Sequence, residues 1–244
     1  MILLKEGRVW VADDVSPGTV GQGWDVVAVL FDVDGTLITT GGASAVAWSR
    51  AFDDFYGIPA DVESFSVAGM TDPEVGRRTF QAVVGHDPSP GELARVMARR
   101  LEYLPAAVAA SSGYRVLPGV EDVLASLCRR GYLLGLTTGS VEAAAHIKLA
   151  RGDLNKYFQF GGYGSDSPQR TELTRRGIER AGVVLGHPVQ PGQSWVVGDT
   201  PLDITAAHGA GAIAIGVASG HYTTAQLRAA GADHVLHTLI EFPL

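Results

Sequence analysis

The chain has 244 residues, 46% of them hydrophobic, and its formal net charge is −7. This length and hydrophobic content suit one core domain with an insertion, and the acidic balance without a basic cluster argues against nucleic acid and anionic membranes as partners. The single cysteine, Cys128, excludes an internal disulfide and is typical of a reducing compartment. Its spacing from Leu124 and Leu127 predicts a small core residue.

Residues 1–25 form an N-terminal arm of unknown role. Its apolar start, residues 1–4, is too short for a signal peptide or a membrane span, so we expect a cytoplasmic protein. Residues 8–11 predict a short hairpin or strand. The glycine-rich stretch that follows, at Gly18, Gly21 and Gly23, predicts a linker.

An apolar run over residues 26–31 predicts a buried strand, and it ends abruptly in Asp32-Val33-Asp34-Gly35-Thr36. Charged groups in this place lie at the carboxyl end of the strand, where open α/β sheets bind ligands. If the extended geometry continues, Asp32 and Asp34 share a side-chain direction and face one site. Two close carboxylates need a positive or protonated neighbour, and a divalent cation is the simplest one.

Two other interpretations of this stretch are an EF-hand loop and an ordinary polar turn. An EF-hand loop that began at Asp32 would need glycine at its sixth position and glutamate at its twelfth, where the chain has Leu37 and Ala43. An ordinary polar turn after a strand is the plainer alternative, since Asp and Gly are common turn residues.

Residues 43–112 contain no strand-like run, although the sequence on either side alternates strand and helix. This change in composition predicts an inserted helical subdomain. Three helices are expected. The first ends at Gly57, the second begins with Asp72 as N-cap and ends at Gly85, and the third runs from Ser89-Pro90 to just before Pro105.

The alternating pattern then resumes. A helix that Gly131 terminates is followed by a buried strand over residues 132–136, which ends in Thr137-Thr138-Gly139-Ser140. Ser140 is the predicted N-cap of the next helix. Hydroxyls and free backbone N–H groups at a helix N-terminus can bind phosphate, and a plain capped turn is the alternative.

The remaining elements are short. A strand is predicted over residues 157–160, a loop over 161–166 and a helix from Arg170. Residues 194–197 predict a buried strand that ends in Gly198-Asp199, and Pro201 begins a helix whose first turn holds Asp203. Asp203 could serve only as a helix N-terminal charge. Further strands are predicted at residues 212–217 and 234–236, with a helix at 223–230 between them.

Four of these segments, in this order, resemble the motifs of the haloacid dehalogenase (HAD) superfamily. Asp32-Val33-Asp34-Gly35-Thr36-Leu37 resembles the first motif in its phosphatase form, and Gly198-Asp199-Thr200-Pro201-Leu202-Asp203 resembles the fourth. Thr138 aligns with the second, although Gly139 stands where many members have asparagine. Arg170 is the candidate for the third, where lysine is commoner, and Lys148 is the alternative. The resemblance covers residues 26–244.

The resemblance implies a doubly wound, mostly parallel α/β sheet with an inserted all-helical subdomain. The HAD-like core would comprise residues 26–42 and 113–244, and a helical C1 cap residues 43–112. The family usually begins near its first motif, so residues 1–25 are additional. In such a cap the loop at residues 69–72 could face the substrate.

The same resemblance implies the site residues. Asp32 would be the nucleophile and Asp34 the acid and base. Mg²⁺ would be held by the Asp32 and Asp199 carboxylates, the Asp34 carbonyl and, through a water molecule, Asp203. The groups expected to hold the phosphoryl oxygens are Gly35, Thr138, Gly139 and Arg170.

The implied activity is Mg²⁺-dependent hydrolysis of a small phosphorylated metabolite through an aspartyl-phosphate. Dehalogenases and phosphonate-cleaving members lack an acid at the position of Asp34, which favours a phosphatase. A phosphomutase of the β-phosphoglucomutase type retains that acid and remains an alternative, as does a regulator that binds phosphate esters without turnover. Phosphoglycolate, a sugar phosphate and a nucleotide are all open as substrates, and the oligomeric state is undetermined.

Overall fold

The computed structural model describes residues 3–5, 8–10 and 26–242 of the chain. These residues form ten β-strands and eight α-helices. The strands are β1 (Leu3–Lys5), β2 (Arg8–Trp10), β3 (Ala28–Phe31), β4 (Ile38–Thr39), β5 (Arg115–Val116), β6 (Leu133–Thr138), β7 (Phe160–Tyr163), β8 (Ser194–Gly198), β9 (Ile213–Val217) and β10 (His234–Leu236). The helices are α1 (Ala43–Tyr56), α2 (Asp72–Val84), α3 (Pro90–Ala110), α4 (Val120–Arg129), α5 (Glu142–Ala150), α6 (Arg170–Leu185), α7 (Pro201–Gly209) and α8 (Thr224–Ala229).

Two short strands come before the main sheet. β1 pairs antiparallel with β2, so where a short hairpin or strand is expected at residues 8–11, the described residues Arg8–Trp10 form one strand of an antiparallel pair. The glycine-rich linker predicted for the later part of the arm lies outside the described residues. No helix in the part of the chain that the structure describes is long and apolar enough to cross a membrane.

The central sheet has six strands in the order β10-β9-β8-β3-β6-β7, and every neighbouring pair is parallel. β3 lies in the middle, where Phe31 pairs with Val197 of β8 and Leu136 of β6. The predicted doubly wound α/β sheet is therefore confirmed. Because parallel strands end at the same edge, the residues after β3, β6 and β8 meet there.

Alternate residues of β3 serve two cores, one on each face of the sheet. Val29 and Phe31 belong to the core that contains α4 and α5, while Ala28 and Leu30 belong to the core that contains α6, α7 and α8. Cys128 is half-buried and packs against the first of these cores. Apolar side chains on both faces of a strand require helices on both faces of the sheet.

The antiparallel pair β4 and β5 marks the two ends of the helical insertion, and α1, α2 and α3 lie between these strands. We call residues 43–112 the cap. Its core is built on Trp48, Phe52, Phe80 and Val96. As predicted, α1 and α2 end at glycines in the left-handed region, Gly57 with φ 66° and Gly85 with φ 91°.

Two predicted helix boundaries in the cap are wrong. The N-cap of α2 is Thr71 and not Asp72, because the Asp72 carboxylate bonds to Arg100 instead. The third helix does not stop at Pro105 but continues to Ala110. Pro105 removes one backbone donor but does not end α3. Near the C-terminal end of α3, the carbonyl of Val108 accepts a hydrogen bond from Arg151.

The predicted strand at residues 157–160 is displaced. Residues Asn155–Tyr157 form a 3-10 turn, and β7 occupies Phe160–Tyr163, which overlaps the predicted strand at Phe160 and otherwise lies in the stretch predicted as a loop. The glycines that indicated a loop serve close packing instead. A Cβ atom on Gly162 would lie 1.8 Å from the carbonyl oxygen of Leu173, so only glycine lets α6 approach the strand this closely.

Candidate active site

A cavity of about 420 Å³ lies at the carboxyl edge of the sheet, where core and cap meet. Seven of the predicted site residues line it: Asp32, Asp34, Gly35, Thr138, Gly139, Arg170 and Asp199. The eighth, Asp203, is buried behind them and reaches the others through Arg170. The structure thus brings all eight into one region from four separate segments of the chain.

Asp32 and Asp34 follow β3 but differ in their surroundings. Asp32 is buried, and its backbone N–H donates to the carbonyl of Val197 at 2.9 Å. The Asp34 side chain is 44% exposed, and its Oδ2 lies 2.5 Å from Nζ of Lys148. One carboxylate is therefore held inside the protein, while the other faces solvent-accessible space.

Gly35 makes the turn after Asp34 possible. It has φ 87°, and a Cβ atom there would lie 2.4 Å from Oδ2 of Asp199. Its N–H donates to the carbonyl of Ile38, so this group stabilises the turn. Glycine lets the first and fourth motifs approach each other at this point.

Arg170, the first residue of α6, connects the carboxylates to the cap. Its side chain is 8% exposed; Nη2 lies 2.8 Å from Oδ1 of Asp32 and 2.5 Å from Oδ1 of Asp203. Nη1 donates to the carbonyl of Gly69 at 2.8 Å. A guanidinium can serve three partners at once because its donors are arranged as a planar fork.

Asp199 lies just before α7, and Asp203 lies in the first turn of this helix. Oδ1 of Asp199 accepts from the Thr36 hydroxyl at 3.2 Å. Oδ2 of Asp203 accepts from the N–H of Thr200 at 3.0 Å. Thr200 and Asp203 thus form a capping box at the start of α7, on either side of Pro201. The helix-terminal role considered for Asp203 is thus present, together with its ion pair to Arg170.

Three buried carboxylates surround one guanidinium. Ligand oxygens of Asp32, Asp199 and Asp203 all lie within 4.8 Å of one another. Burial raises the pKa of Asp32 to about 7, although Arg170 opposes the rise, and burial with the neighbouring Asp32 raises the pKa of Asp199 to about 8. Oxygen donors with excess negative charge fit a hard divalent cation such as Mg²⁺.

The turn after β6 differs from the prediction at one residue. The N-cap of α5 is Val141 and not Ser140. The Ser140 hydroxyl lies 2.8 Å from Nζ of Lys148 instead, and its N–H donates to the Thr138 hydroxyl at 3.2 Å. Ser140 also lines the cavity, so the hydroxyl faces the site and does not close the helix.

Lys148 contacts a different carboxylate from the one that Arg170 contacts. Its side chain is buried, and Nζ lies between Asp34 and Ser140. Each of the two candidates for the third motif therefore reaches the cavity, Arg170 at Asp32 and Lys148 at Asp34. The sequence signal was a lysine on the apolar face of a helix, beside Ala144 and Ala145, where a charged group requires a partner.

Sequence reasoning missed the segment after β9. Gly220 and His221 line the cavity, and the Ser219 hydroxyl donates to the carbonyl of Gly35 at 2.7 Å. A Cβ atom on Gly220 would lie 1.8 Å from Oδ2 of Asp199. The strand-end rule that located Asp32 and Asp199 applies to β9 as well and could have found this segment.

The cap is docked on the core through residues 69–72. The N–H of Asp72 donates to the carbonyl of Gly139 at 2.7 Å, and Oδ2 of Asp72 accepts from the N–H of Val141 at 2.9 Å. Gly69, Met70 and Asp72 line the cavity. This loop therefore faces the site, as the sequence predicts.

Comparison with known proteins agrees with this arrangement. The family model of haloacid dehalogenase-like hydrolases matches residues 26–211. The probable phosphatase IndB of Dickeya dadantii is 29% identical over 229 residues, which cover 87% of this chain and 90% of the relative. A phosphoglycolate phosphatase of Synechococcus elongatus is 27% identical, with 86% of this chain and 92% of the relative covered.

Solved structures share the fold. CbbY from Rhodobacter sphaeroides, in complex with phosphate, superposes with a TM-score of 0.68 at 21% identity, covering 88% of this chain and 96% of CbbY. A hydrolase from Pseudomonas syringae gives 0.65 at 22% identity, covering 88% and 95%. The family match, which spans most of the chain, shows that this protein belongs to the haloacid dehalogenase-like hydrolases.

Proposed function

We propose that the chain is a Mg²⁺-dependent phosphomonoester hydrolase that acts on a small phosphorylated metabolite through an aspartyl-phosphate on Asp32. The observation that carries the proposal is the pair of carboxylates on one cavity, each with its own cation, Arg170 at Asp32 and Lys148 at Asp34. The phosphatase names of the relatives support the same chemistry.

Asp32 is the proposed nucleophile. A carboxylate attacks phosphorus only when it is ionised, and Arg170 at 2.8 Å favours that form. Asp32, Asp199 and Asp203 are the side chains that would hold Mg²⁺, with the Asp34 carbonyl as the further proposed ligand. When bound, the ion supplies positive charge that lets these carboxylates remain ionised beside a phosphate.

The phosphoryl group would occupy the cavity beside Asp32. Arg170 and the Thr138 hydroxyl are the proposed partners of its oxygens, and Gly35 and Gly139 provide close backbone approach. A guanidinium already fixed by Asp203 and Gly69 needs little reorganisation when charge develops on the phosphoryl oxygens.

Asp34 is the proposed acid and base. It would give a proton to the leaving alkoxide oxygen and afterwards take one from the water that attacks the aspartyl-phosphate. Its exposure suits this role because the water must reach it. Lys148 and Ser140 hold the carboxylate from the side of α5.

A panel of phosphomonoesters with Mg²⁺, read as released phosphate, tests the proposal. We expect release by the wild type and by Asp53→Asn, a matched control on the exposed side of α1, and none by Asp32→Asn. Conversion of a hexose phosphate without release would identify a phosphomutase instead. Binding without either reaction would identify a phosphate-ester regulator.

A further inference from the structure

The cap contributes a largely uncharged part of the cavity lining. Its side chains there are apolar (Ala45, Trp48, Val62, Ala68, Met70, Val75) or carry a hydroxyl, Ser44 and Ser66. Among the described cap residues that line the cavity, none is lysine, arginine or histidine. The only charged one is Asp72.

The charge of Asp72 is already neutralised by Arg100. Nη1 of Arg100 donates to Oδ2 of Asp72 at 2.8 Å, and Nη2 donates to the Ser44 hydroxyl at 3.0 Å. The Arg100 side chain is 0% exposed, and its guanidinium carbon lies 4.7 Å from the ring centre of Trp48. This cation supports the cap wall from behind and is not presented to a ligand.

The other positive groups of the cavity are committed to the reaction centre. Arg170 is bound to Asp32 and Asp203, and Lys148 to Asp34. His221 is exposed and lies in the segment that packs against Asp199, outside the cap. A second negative charge on the substrate would therefore find no free cation on the cap wall.

We infer, on the basis of the proposed phosphatase function, that the alcohol part of the substrate is uncharged and has an apolar face. A carboxylate next to the cap wall would lose its water without gaining an ion pair. An alkyl or aromatic group would instead bury apolar surface against Trp48 and Val75, which favours binding. Phosphocarboxylates such as phosphoglycolate are thus disfavoured here, although relatives of 27% and 29% identity are phosphoglycolate phosphatases.

The test compares two esters of the same shape. Phosphoglycolate and isobutyl phosphate differ in the exchange of a charged carboxylate for an uncharged isopropyl group of similar size. With the full chain and saturating Mg²⁺, we expect kcat/KM to be roughly 10-fold or more higher for isobutyl phosphate, the order of discrimination that pocket contacts supply. Equal or better hydrolysis of phosphoglycolate would overturn the inference and leave the proposed phosphatase intact.

Hydrolysis of p-nitrophenyl phosphate, measured beside the other two esters, separates failure of the proposed phosphatase function from failure of the inference about its substrate. If none of the three esters releases phosphate, the proposed function fails and the inference fails with it. If p-nitrophenyl phosphate and phosphoglycolate are both cleaved faster than isobutyl phosphate, only the inference fails.

A substitution in the cap tests the role of charge directly. Ala68 is half-buried and lies in the loop ahead of Gly69, where a longer side chain can extend along the cavity. Ala68→Lys should shift the ratio of kcat/KM values toward phosphoglycolate by roughly 10-fold, since it adds the missing cation. Ala68→Met, of similar length and without charge, should not do so. An equal shift in both variants would overturn charge as the basis of selectivity.

Discussion

Substitution of Arg170 tests whether Arg170 or Lys148 is the third-motif residue. It pairs with Asp32 at 2.8 Å and Asp203 at 2.5 Å, and it donates to the Gly69 carbonyl. Arg170→Ala leaves these buried carboxylates and Asp199 without a cation beside them from the part of the chain that the structure describes. We expect the free energy of unfolding in Mg²⁺-free buffer to fall by roughly 3–5 kcal/mol, as for other broken buried pairs.

The same substitution should slow catalysis. Loss of one preorganised charge donor costs roughly 10²-fold in rate, so kcat/KM of Arg170→Ala should fall by about that factor or more. Arg170→Lys keeps the charge but loses the fork, and it should recover part of the loss if the shorter side chain still reaches Asp32.

Lys148→Ala, measured under identical Mg²⁺, is the matched control. Its partner Asp34 is 44% exposed, so water can replace much of the lost pair and we expect a smaller loss of stability than in Arg170→Ala. Urea denaturation gives the stabilities and released phosphate gives kcat/KM. A nearly unaffected Arg170→Ala beside a crippled Lys148→Ala would refute the assignment and place the third motif at Lys148.

Four further predictions concern the acids, the metal and the packing. Asp34→Asn should accumulate one phosphoryl group on the peptide that contains Asp32 when given an ester with a good leaving group, and mass spectrometry that finds no adduct would contradict the two-step route. Activity should vanish with EDTA and return with Mg²⁺; undiminished hydrolysis after chelation would exclude a metal role. Without Mg²⁺, burial raises the pKa of Asp32 to about 7 and that of Asp199 to about 8 from an ordinary 3.8, so the folded protein binds protons that the unfolded chain has already lost. The free energy of unfolding should therefore fall as pH rises from 3.8 through about 8. Stability that rises over this range in urea titrations would show that the acids are not raised. Gly162→Ala should destabilise the protein by about 3 kcal/mol or more, because its Cβ atom would overlap a carbonyl of α6. Gly91→Ala, with open space around it, should instead stabilise α3 by roughly 0.5–1 kcal/mol. Similar melting curves for both variants would refute the packing argument.

The elements and the edge of the sheet that carries the site follow from local patterns. The apolar runs before Asp32, Thr138 and Asp199 predict buried strands, and parallel strands that end in polar residues must present them at one edge. Apolar runs and the direction of the strands depend only on neighbours in sequence, so the acids are predicted to lie together before any of their distances is known.

Pairings between distant side chains could be decided only by the tertiary structure. Lys148 and Asp34 are 114 residues apart, and Arg100 and Asp72 are 28 apart on different helices. Spacing rules report which face of a helix a residue occupies, but not which group on another element lies within 3 Å of it. For this reason Asp72 resembled a helix cap in the sequence, although its carboxylate joins the cap to the core.

The β7 strand shows the same limit for backbone structure. Gly161 and Gly162 have the local preference of a loop, and nothing within the segment outweighs it. Pairing with β6 and the close approach of α6 do outweigh it, because only glycine at position 162 leaves room for the backbone of α6. Local sequence thus determined the order of elements and the chemistry at their ends, while contacts between distant segments decided which charges meet, because those contacts exist only after the sheet has formed.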